Sequence, residues 1–346
     1  MASVCHLLPY PGAVPRPTDR KRPTITDVAT EAGVAASTVS RAFTRPGRVN
    51  PHTREHVLAV ADRLGYLPNP AARALESGRT RTLALLVPDI TNPYFAGVIK
   101  GAERAAAAAG MTLILGDTQE RPSVEEELVR RLGPSVDGLV LAASRLPDVA
   151  LRQAAEANPI VLLNRAIEGV DCVVADFDSG TRQIVDHLAS LGHESFVFLG
   201  GPAESWSAAR RWHGLQQSAL NRGMAATRSG PYTPTLAGGP AAADAALAAK
   251  ATALVCHNDM LAIGVLRRLA QRGVAVPAEV SVVGFDDIFG ADFCAPPLTT
   301  LAERTVDAGA RGIEVLLQQS RTTETAAWVL PTQLVVRSST GPVSTR

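Results

Sequence analysis

Cysteine is scarce in this chain, and its spacing excludes two classes of site. The 346 residues include four cysteines, Cys5, Cys172, Cys256 and Cys294, and no two of them form a CxxC pair. Three of the four lie in or beside apolar runs, which is typical of buried free thiols. The sequence therefore predicts neither a disulfide framework nor a metal site, and it indicates no cofactor.

Long apolar runs are also absent. No run approaches the roughly 20 residues that a membrane-spanning helix needs. The first 20 residues are rich in proline and lack the apolar centre of a secretory signal. We therefore expect residues 1–21 to form a disordered leader, the protein to be cytoplasmic, and no membrane to be among its partners.

Motifs typical of catalysis are missing as well. The chain has no GxSxG elbow, no P-loop and no GxGxxG turn. Asp286 and Asp287 are adjacent carboxylates, but neighbours on a strand point to opposite faces. We predict that the protein is not an enzyme and has no catalytic residues.

The net charge is close to zero, but the two signs are separated along the chain. Formal net charge is +1. Residues 1–82 hold 12 Lys/Arg and 6 Asp/Glu, a net charge of +6, whereas the remainder holds 22 and 27, a net charge of −5. A basic head on an acidic body fits a protein that contacts phosphate at one end only.

Residues 22–68 have the pattern of three short helices. The first begins at Thr24, which is followed by an acidic residue in the first turn, and the second is expected over 37–43. The third begins at Asn50, next to a proline, and stops at Gly65. Two helices joined by a tight turn and braced by a third make a helix-turn-helix. An ordinary three-helix bundle with a polar face fits the same pattern.

The second helix carries a polar face that suits a DNA groove. Ala36, Ser37, Ser40 and Arg41 point away from its apolar side. Short side chains permit close approach, and an arginine can donate two hydrogen bonds to guanine. The pattern favours a recognition helix in the major groove.

The segments AGVAASTVSRAFTRPGRVNPHTRE and YLPNPAARAL resemble the DNA-binding domain and hinge of the LacI/GalR family of bacterial transcription regulators. The resemblance implies a hinge helix and linker at 69–81, with Leu75 wedged between base pairs in the minor groove. Two departures are Ala35, where the family has a serine N-cap, and Thr44, where it has asparagine. Pattern and resemblance together give the DNA-contacting set Thr24, Ala36, Ser37, Thr38, Ser40, Arg41, Arg48, Asn50, Thr53, Asn69, Ala72 and Leu75.

From residue 82 onward, continuous apolar strands alternate with helical patterns. This alternation predicts parallel sheets covered on both faces, arranged as one barrel or as two doubly wound lobes. The resemblance continues through VPDITNPYFAGVIKG, CHNDMLAIGVLRRL and VSVVGFDD and implies two lobes similar to periplasmic binding proteins. The expected fold is thus an α-helical helix-turn-helix domain followed by a two-lobed (type I) α/β core. We expect the core over 82–340, with lobe 1 at about 82–175 plus 302–330 and lobe 2 at about 176–301 plus 331–340.

Polar residues follow four of the predicted strands. They are Asp89, Ser144, Asn258 and Asp286. In open parallel sheets, ligands bind beyond the carboxyl ends of the strands, so these side chains are candidates for a site between the lobes. Each one taken alone is more typical of a capping or turn residue, and only the four together indicate a polar pocket.

The family resemblance extends this set. It assigns Arg211 as the residue that grips the effector, and it places Glu303 where many relatives have glutamine. Trp206 is either a second stacking platform or a partly exposed loop residue. The complete effector-binding set is Asp89, Asn92, Tyr94, Phe95, Ser144, Trp206, Arg211, Asn258, Asp286 and Glu303. Such groups suit a sugar, although Arg211 also permits a carboxylate-bearing ligand or a nucleobase.

The resemblance implies a ligand-responsive, sequence-specific DNA-binding repressor of carbohydrate-use genes. We expect a homodimer on a pseudo-palindromic operator, with a small sugar-like effector that either releases or recruits it. The tail GPVSTR has no leucine heptads, which disfavours a tetramer. A solute-binding protein for transport is the competing hypothesis, but it requires a signal peptide and no basic head.

Overall fold

The computed structural model describes residues 23–67, 78–318 and 325–343. The chain divides into two compact units, residues 1–80 and 81–346. The expected leader at 1–21 lies outside the described residues, and so do the hinge candidates Asn69, Ala72 and Leu75.

Within residues 23–67, the N-terminal unit contains three α-helices and one 3-10 turn. Helix α1 spans Ile25–Ala32, α2 spans Ala36–Thr44, the 3-10 turn spans Pro46–Arg48, and α3 spans Pro51–Leu64. Thr24 and Asp27 form a reciprocal capping box at the start of α1. The Ala35 N-cap of α2 offers no side-chain acceptor, so that helix lacks the cap that a serine would supply.

One apolar core holds these three helices together. Val28, Val39, Val57 and Val60 are buried at its centre, and the ring of Phe43 packs edge-on against Tyr66. Burying a valine completely stabilises the fold by about 1.5–3 kcal/mol relative to leaving it exposed. The apolar faces are therefore used within the unit, and the polar face of α2 is left outside.

The second unit consists of twelve strands and eight helices within its described residues. The strands are β1 (Thr82–Val87), β2 (Thr112–Asp117), β3 (Gly138–Ala142), β4 (Ile160–Leu163), β5 (Cys172–Ala175), β6 (Ser195–Leu199), β7 (Ala225–Ser229), β8 (Ala253–Cys256), β9 (Ser281–Asp286), β10 (Thr299–Glu303), β11 (Ala327–Leu330) and β12 (Thr332–Val335). The helices are α4 (Pro93–Ala108), α5 (Pro122–Leu132), α6 (Asp148–Ala157), α7 (Phe177–Ser190), α8 (Trp206–Arg222), α9 (Gly239–Ala248), α10 (Asp259–Gln271) and α11 (Thr305–Gln318).

The strands form two separate six-stranded sheets. The first has the order β11-β5-β4-β3-β1-β2 and is parallel throughout. The second has the order β12-β10-β9-β8-β6-β7 and is parallel except for the antiparallel pair of β10 and β12. Two sheets confirm the two-lobed α/β fold and exclude the single barrel.

The chain passes between the two sheets three times. The first passage lies between β5 and α7, the second between β10 and α11, and the third between β11 and β12. Strand β10 continues to Glu303, two residues beyond the boundary expected at 301/302, because Ala302 pairs with Asp286 and Glu303 pairs with Thr332. Glu303 therefore ends a strand of lobe 2 at the point where the chain returns to lobe 1.

Close packing of two helices fixes this return point. Helix α11, which follows Glu303, lies against α4 in lobe 1. A Cβ atom at Gly101 would lie 1.9 Å from the Val306 carbonyl oxygen, and one at Gly309 would lie 2.0 Å from that of Val98. Only glycine permits this approach, so the start of α4 is held close to the end of β10.

Two of the predicted buried thiols are confirmed. Cys172 and Cys256 are buried and free, whereas Cys294 is half-buried and Cys5 lies outside the described residues. None of the helices in the described part of the chain has the length and apolar character needed to cross a membrane.

Candidate functional sites

The polar face of α2 is accessible in the N-terminal unit. Ala36, Ser37 and Arg41 are exposed and Ser40 is half-buried. Arg41 lies along its own helix, with Nε donating to the Ser37 carbonyl oxygen at 3.0 Å and Nη2 donating to Ser37 Oγ at 2.9 Å. These two bonds use two of the five N–H donors of the guanidinium, so the others can donate elsewhere.

The other DNA candidates lie around α2. Thr24 and Asn50 cap their helices, with Asn50 Oδ1 accepting from the His52 backbone N–H at 3.0 Å. Arg48 is exposed in the 3-10 turn, and Thr38 and Thr53 are half-buried. The exposed arginines and the short polar side chains of this unit have the chemistry of phosphate and base-edge contacts.

A polar cleft lies at the carboxyl ends of the strands in the second unit. Six of the predicted effector residues line it, namely Asn92, Tyr94, Phe95, Arg211, Asn258 and Asp286. Tyr94 and Phe95 come from α4 in lobe 1, and Arg211 and Asn258 come from lobe 2. The cleft thus joins residues of both lobes.

Arg211 is the centre of the cleft and is almost completely buried. Its Nη2 donates to Asp286 Oδ1 at 2.9 Å and to Glu303 Oε1 at 2.8 Å, and Nη1 donates to the His257 carbonyl oxygen. Its guanidinium carbon lies 4.5 Å from the centre of the Phe285 ring and 5.1 Å from that of Phe177. Two carboxylates and two aromatic faces therefore hold this cation in place.

Glu303 connects the two lobes through one carboxylate. Oε1 accepts from Arg211 of lobe 2, whereas Oε2 accepts from the Tyr94 hydroxyl at 2.9 Å and from Asn164 Nδ2 at 3.2 Å. Asn164 also donates to the Tyr94 hydroxyl oxygen. Any movement of one lobe against the other must stretch or exchange these hydrogen bonds.

Three residues at the ends of strands in this region have left-handed backbone conformations. The φ angles are +47° at Ala143, +50° at Asn164 and +108° at Asp286. Residues other than glycine are unfavourable in this conformation because of their Cβ atom, and such conformations concentrate at functional sites. They turn the backbone sharply at the edge of each sheet and direct Asn164 and Asp286 into the cleft.

Burial controls protonation in the cleft. It raises the pKa of Asp286 well above its ordinary value, and the nearby Glu303 adds to this increase while Arg211 opposes it. Burial and the carboxylate of Glu303 also raise the pKa of Tyr94, so its hydroxyl remains a donor. The pKa of His257 is well below its ordinary value because of burial and the positive charges of Arg211, Arg145 and Arg228, so the imidazole is neutral near pH 7.

A second ion pair contributes to the wall of the cleft. Arg145 Nη2 lies 2.7 Å from Glu120 Oε2. The backbone N–H of Arg145 donates to the buried carboxyl of Glu125 at 2.9 Å. Burial raises the pKa of Glu125. The wall is therefore built from paired charges.

Four of the predicted effector residues, Asp89, Ser144, Trp206 and Glu303, lie outside this lining. Glu303 nevertheless contacts two residues of the lining, Tyr94 and Arg211. The Asp89 carboxylate accepts from the backbone and hydroxyl of Thr91, and Ser144 Oγ accepts from the Leu146 backbone N–H, so both are turn residues here. Trp206 is the first residue of α8 rather than part of a loop, and the centre of its ring lies 6.5 Å from the centre of the Phe177 ring. It packs beside the cleft.

Sequence reasoning missed several cleft residues. The structure adds Glu120, Arg145, Asn164, Ser207 and His257 to the lining. Asn164 directly follows β4 and His257 directly follows β8, so the strand-end rule that selected Asn258 would have found both. Glu120 and Ser207 have no comparable signal.

The cleft is narrow in this structure. It encloses about 40 Å³. A single water requires at least about 10–15 Å³ by this measure, so the space corresponds to roughly three water molecules. A ligand of sugar size therefore needs a wider separation of the lobes or a rearrangement of the Arg211 network.

Comparison with known proteins gives matches to both units. Residues 24–69 match the family model described as "Bacterial regulatory proteins, lacI family", and residues 185–340 match that of a "Periplasmic binding protein-like domain". The HTH-type transcriptional repressor CytR of Escherichia coli (strain K12) is 30% identical over 327 residues, which cover 92% of this chain and 96% of CytR.

Solved structures match almost the whole chain. A lac repressor dimer bound to operator and the anti-inducer ONPF has a TM-score of 0.84 at 26% identity, and the match covers 93% of this chain and 100% of that one. A complex of the transcriptional regulator CelR with cellobiose has a TM-score of 0.68 at 30% identity, covering 92% and 100%.

Proposed function

Because the chain belongs to the lacI family of bacterial regulatory proteins, we propose that it is a ligand-responsive transcription repressor that binds a pseudo-palindromic operator as a homodimer. Like its relatives, it is a regulator of transcription and not an enzyme. Its targets are genes of carbohydrate use, and it acts in the cytoplasm, where the operator DNA is.

The observation that carries this proposal is the bridge through Glu303. One carboxylate joins Tyr94 and Asn164 of lobe 1 to Arg211 of lobe 2. A ligand that enters the cleft competes for these same groups, because Tyr94, Asn164 and Arg211 all line it. Binding therefore changes the relative free energies of lobe arrangements, which is the requirement for ligand control.

The N-terminal unit performs the DNA-binding step. Helix α2 enters the major groove with Ser37 and Arg41 facing the bases, and Arg48 contacts the phosphate backbone. Residues 1–82 hold 12 basic and 6 acidic residues, and this net positive charge attracts the duplex. The hinge candidates Asn69, Ala72 and Leu75 act in the minor groove in this proposal, although they lie outside the described residues.

The effector is a small sugar-like molecule held between the lobes. Arg211, Asn258, Asp286 and Glu303 supply its polar contacts, and Tyr94 lies at the edge of the same cleft. The CelR relative was solved as a complex with cellobiose, which supports a carbohydrate. Whether the effector releases or recruits the repressor depends on which lobe arrangement it binds more tightly.

Selection of duplexes from a random pool by the purified full chain tests the proposal. The experiment uses fixed moderate salt, because affinity for DNA falls steeply with ionic strength. We expect enrichment of a two-fold symmetric site, either directly or after addition of a metabolite extract. A pool that remains random under both conditions refutes the proposed function.

A further inference from the structure

We propose that the effector is an uncharged, hydroxyl-rich molecule, and that Glu303 is the specificity-determining residue that keeps anionic ligands away from Arg211. This inference rests on the proposed function, in which an effector binds in the cleft. It assigns to Glu303 a role that a glutamine at the same position does not perform.

Arg211 already has a full set of anionic partners. Asp286 and Glu303 lie 2.9 Å and 2.8 Å from its Nη2, and both carboxylates are about as deeply buried as the guanidinium. Phe285 and Phe177 cover its faces. A phosphate or carboxylate of a ligand would have to displace one of these acids and would then lie beside the other in a site of low dielectric constant, where like charges repel strongly.

The second arginine of the cleft is paired too. Arg145 is bound to Glu120 at 2.7 Å, with 7% of the arginine side chain exposed. Burial and the surrounding arginines lower the pKa of His257, so its ring contributes no charge near pH 7. Among the described residues that line the cleft, each arginine therefore has a carboxylate partner.

The remaining hydrogen-bonding capacity defines the ligand. Arg211 Nε and His257 Nδ1 are buried and have no hydrogen-bond partner among the described residues. Arg211 Nε needs an acceptor, whereas the carboxylates of Asp286 and Glu303 accept hydrogen bonds. A hydroxyl group both donates and accepts, so a neutral polyol such as a free sugar or the ribose of a nucleoside satisfies both needs.

Glutamine would change the balance in a specific way. Three donors converge on the Glu303 carboxylate, namely Arg211 Nη2, the Tyr94 hydroxyl and Asn164 Nδ2. Glu303→Gln removes one negative charge and turns one acceptor into a donor facing other donors. Asp286 is then the one carboxylate that still pairs with Arg211, so an incoming anion meets one like charge instead of two.

Inorganic phosphate is the first probe, measured by thermal unfolding of the full chain against chloride at equal ionic strength. We expect phosphate to leave the Tm of the wild-type protein unchanged and to raise that of Glu303→Gln. At about 100 times Kd the rise is roughly 5–10 °C. Glu314→Gln is the matched control, because Glu314 pairs with Arg311 on an exposed part of α11, and it should behave as the wild type does.

A second variant tests the same charge effect at greater strength. Asp286→Asn/Glu303→Gln removes both acids, leaves Arg211 without a counter-ion, and should show the larger phosphate effect. Phosphate stabilisation of the wild type equal to that of Glu303→Gln overturns the proposal. The absence of a phosphate effect in both variants overturns it as well, because Glu303 would then not be the group that excludes anions.

Matched neutral and phosphorylated ligands form the second arm. We use D-ribose with ribose 5-phosphate and cytidine with cytidine monophosphate, measured by calorimetry on wild type and Glu303→Gln. Where the wild type binds a pair, the neutral member should bind at least about 10-fold more tightly, and tighter binding of the phosphorylated member contradicts the proposal. No DNA is present in either arm, so failure here is distinct from failure to select an operator.

Discussion

Arg211→Ala is predicted to destabilise the second unit strongly and in a pH-dependent way. The substitution leaves Asp286 and Glu303 buried without their cation, and removing one partner of a buried ion pair costs about 3–5 kcal/mol. Arg211→Ala also raises the pKa of Asp286 further, because Arg211 is the charge that lowers it. A raised carboxyl pKa favours the folded state at low pH. The loss of unfolding free energy in Arg211→Ala, relative to the wild type, should therefore be small near pH 5 and grow as pH increases toward 8.

Urea unfolding followed by tryptophan fluorescence measures this effect. Trp206 and Trp212 lie on the same helix as Arg211, so the signal reports on the right part of the fold. Arg210→Ala is the matched control, because Arg210 pairs with Asp178 at 3.0 Å with side chains 40% and 67% exposed. Such a pair contributes about 0.2–1 kcal/mol. The reasoning would be refuted if the two variants lost equal amounts of unfolding free energy. It would also be refuted if the loss in Arg211→Ala did not change with pH.

Three further predictions concern DNA and pH. Arg41→Ala should weaken operator binding by about 1–3 kcal/mol and relax base preference at one position, measured by fluorescence anisotropy on single-base operator variants. Leu75→Ala should lose operator discrimination yet keep weak, salt-sensitive DNA binding in the same assay, and unchanged specificity would remove Leu75 from the hinge role. Burial above all raises the pKa of Asp259 from 3.8 to about 7, against the opposing hydrogen bonds from Thr300 and Ile288. Folding therefore favours the protonated acid, and part of the stability is lost as pH rises from about 4 to about 7. Asp259→Asn should flatten that part of the curve of unfolding free energy against pH, and an unaltered curve would contradict this assignment.

Local signals in the sequence were sufficient for the helix boundaries of the N-terminal unit. Thr24, Asn50 and Gly65 cap the helices that their types predict. The strand-end rule also selected Asn258 and Asp286, because a parallel sheet places its carboxyl ends on one edge. The same rule selected Asp89 and Ser144, whose oxygens are used by neighbouring backbone groups, and pattern alone does not separate these two uses.

Other features depend on contacts between distant residues. Tyr94 and Glu303 are separated by 209 positions, so their hydrogen bond has no local signature. Strand β7 (Ala225–Ser229) is largely exposed at a sheet edge and lacks the apolar run that reveals the central strands. The weakly patterned stretch at 230–240 contains only a 3-10 turn before α9.

The central claim is that a ligand in the cleft controls DNA binding. Its most direct test measures the affinity of the selected duplex with and without a small-molecule metabolite extract, for wild type, Arg211→Lys and the matched control Arg210→Lys. A lysine lacks the second nitrogen that donates to the His257 carbonyl oxygen and the planar group that lies over the Phe177 and Phe285 rings. We predict that the extract changes the affinity of the wild type and Arg210→Lys at least about 10-fold but leaves Arg211→Lys unchanged. An equal response in all three proteins, or none in the wild type, would contradict the account.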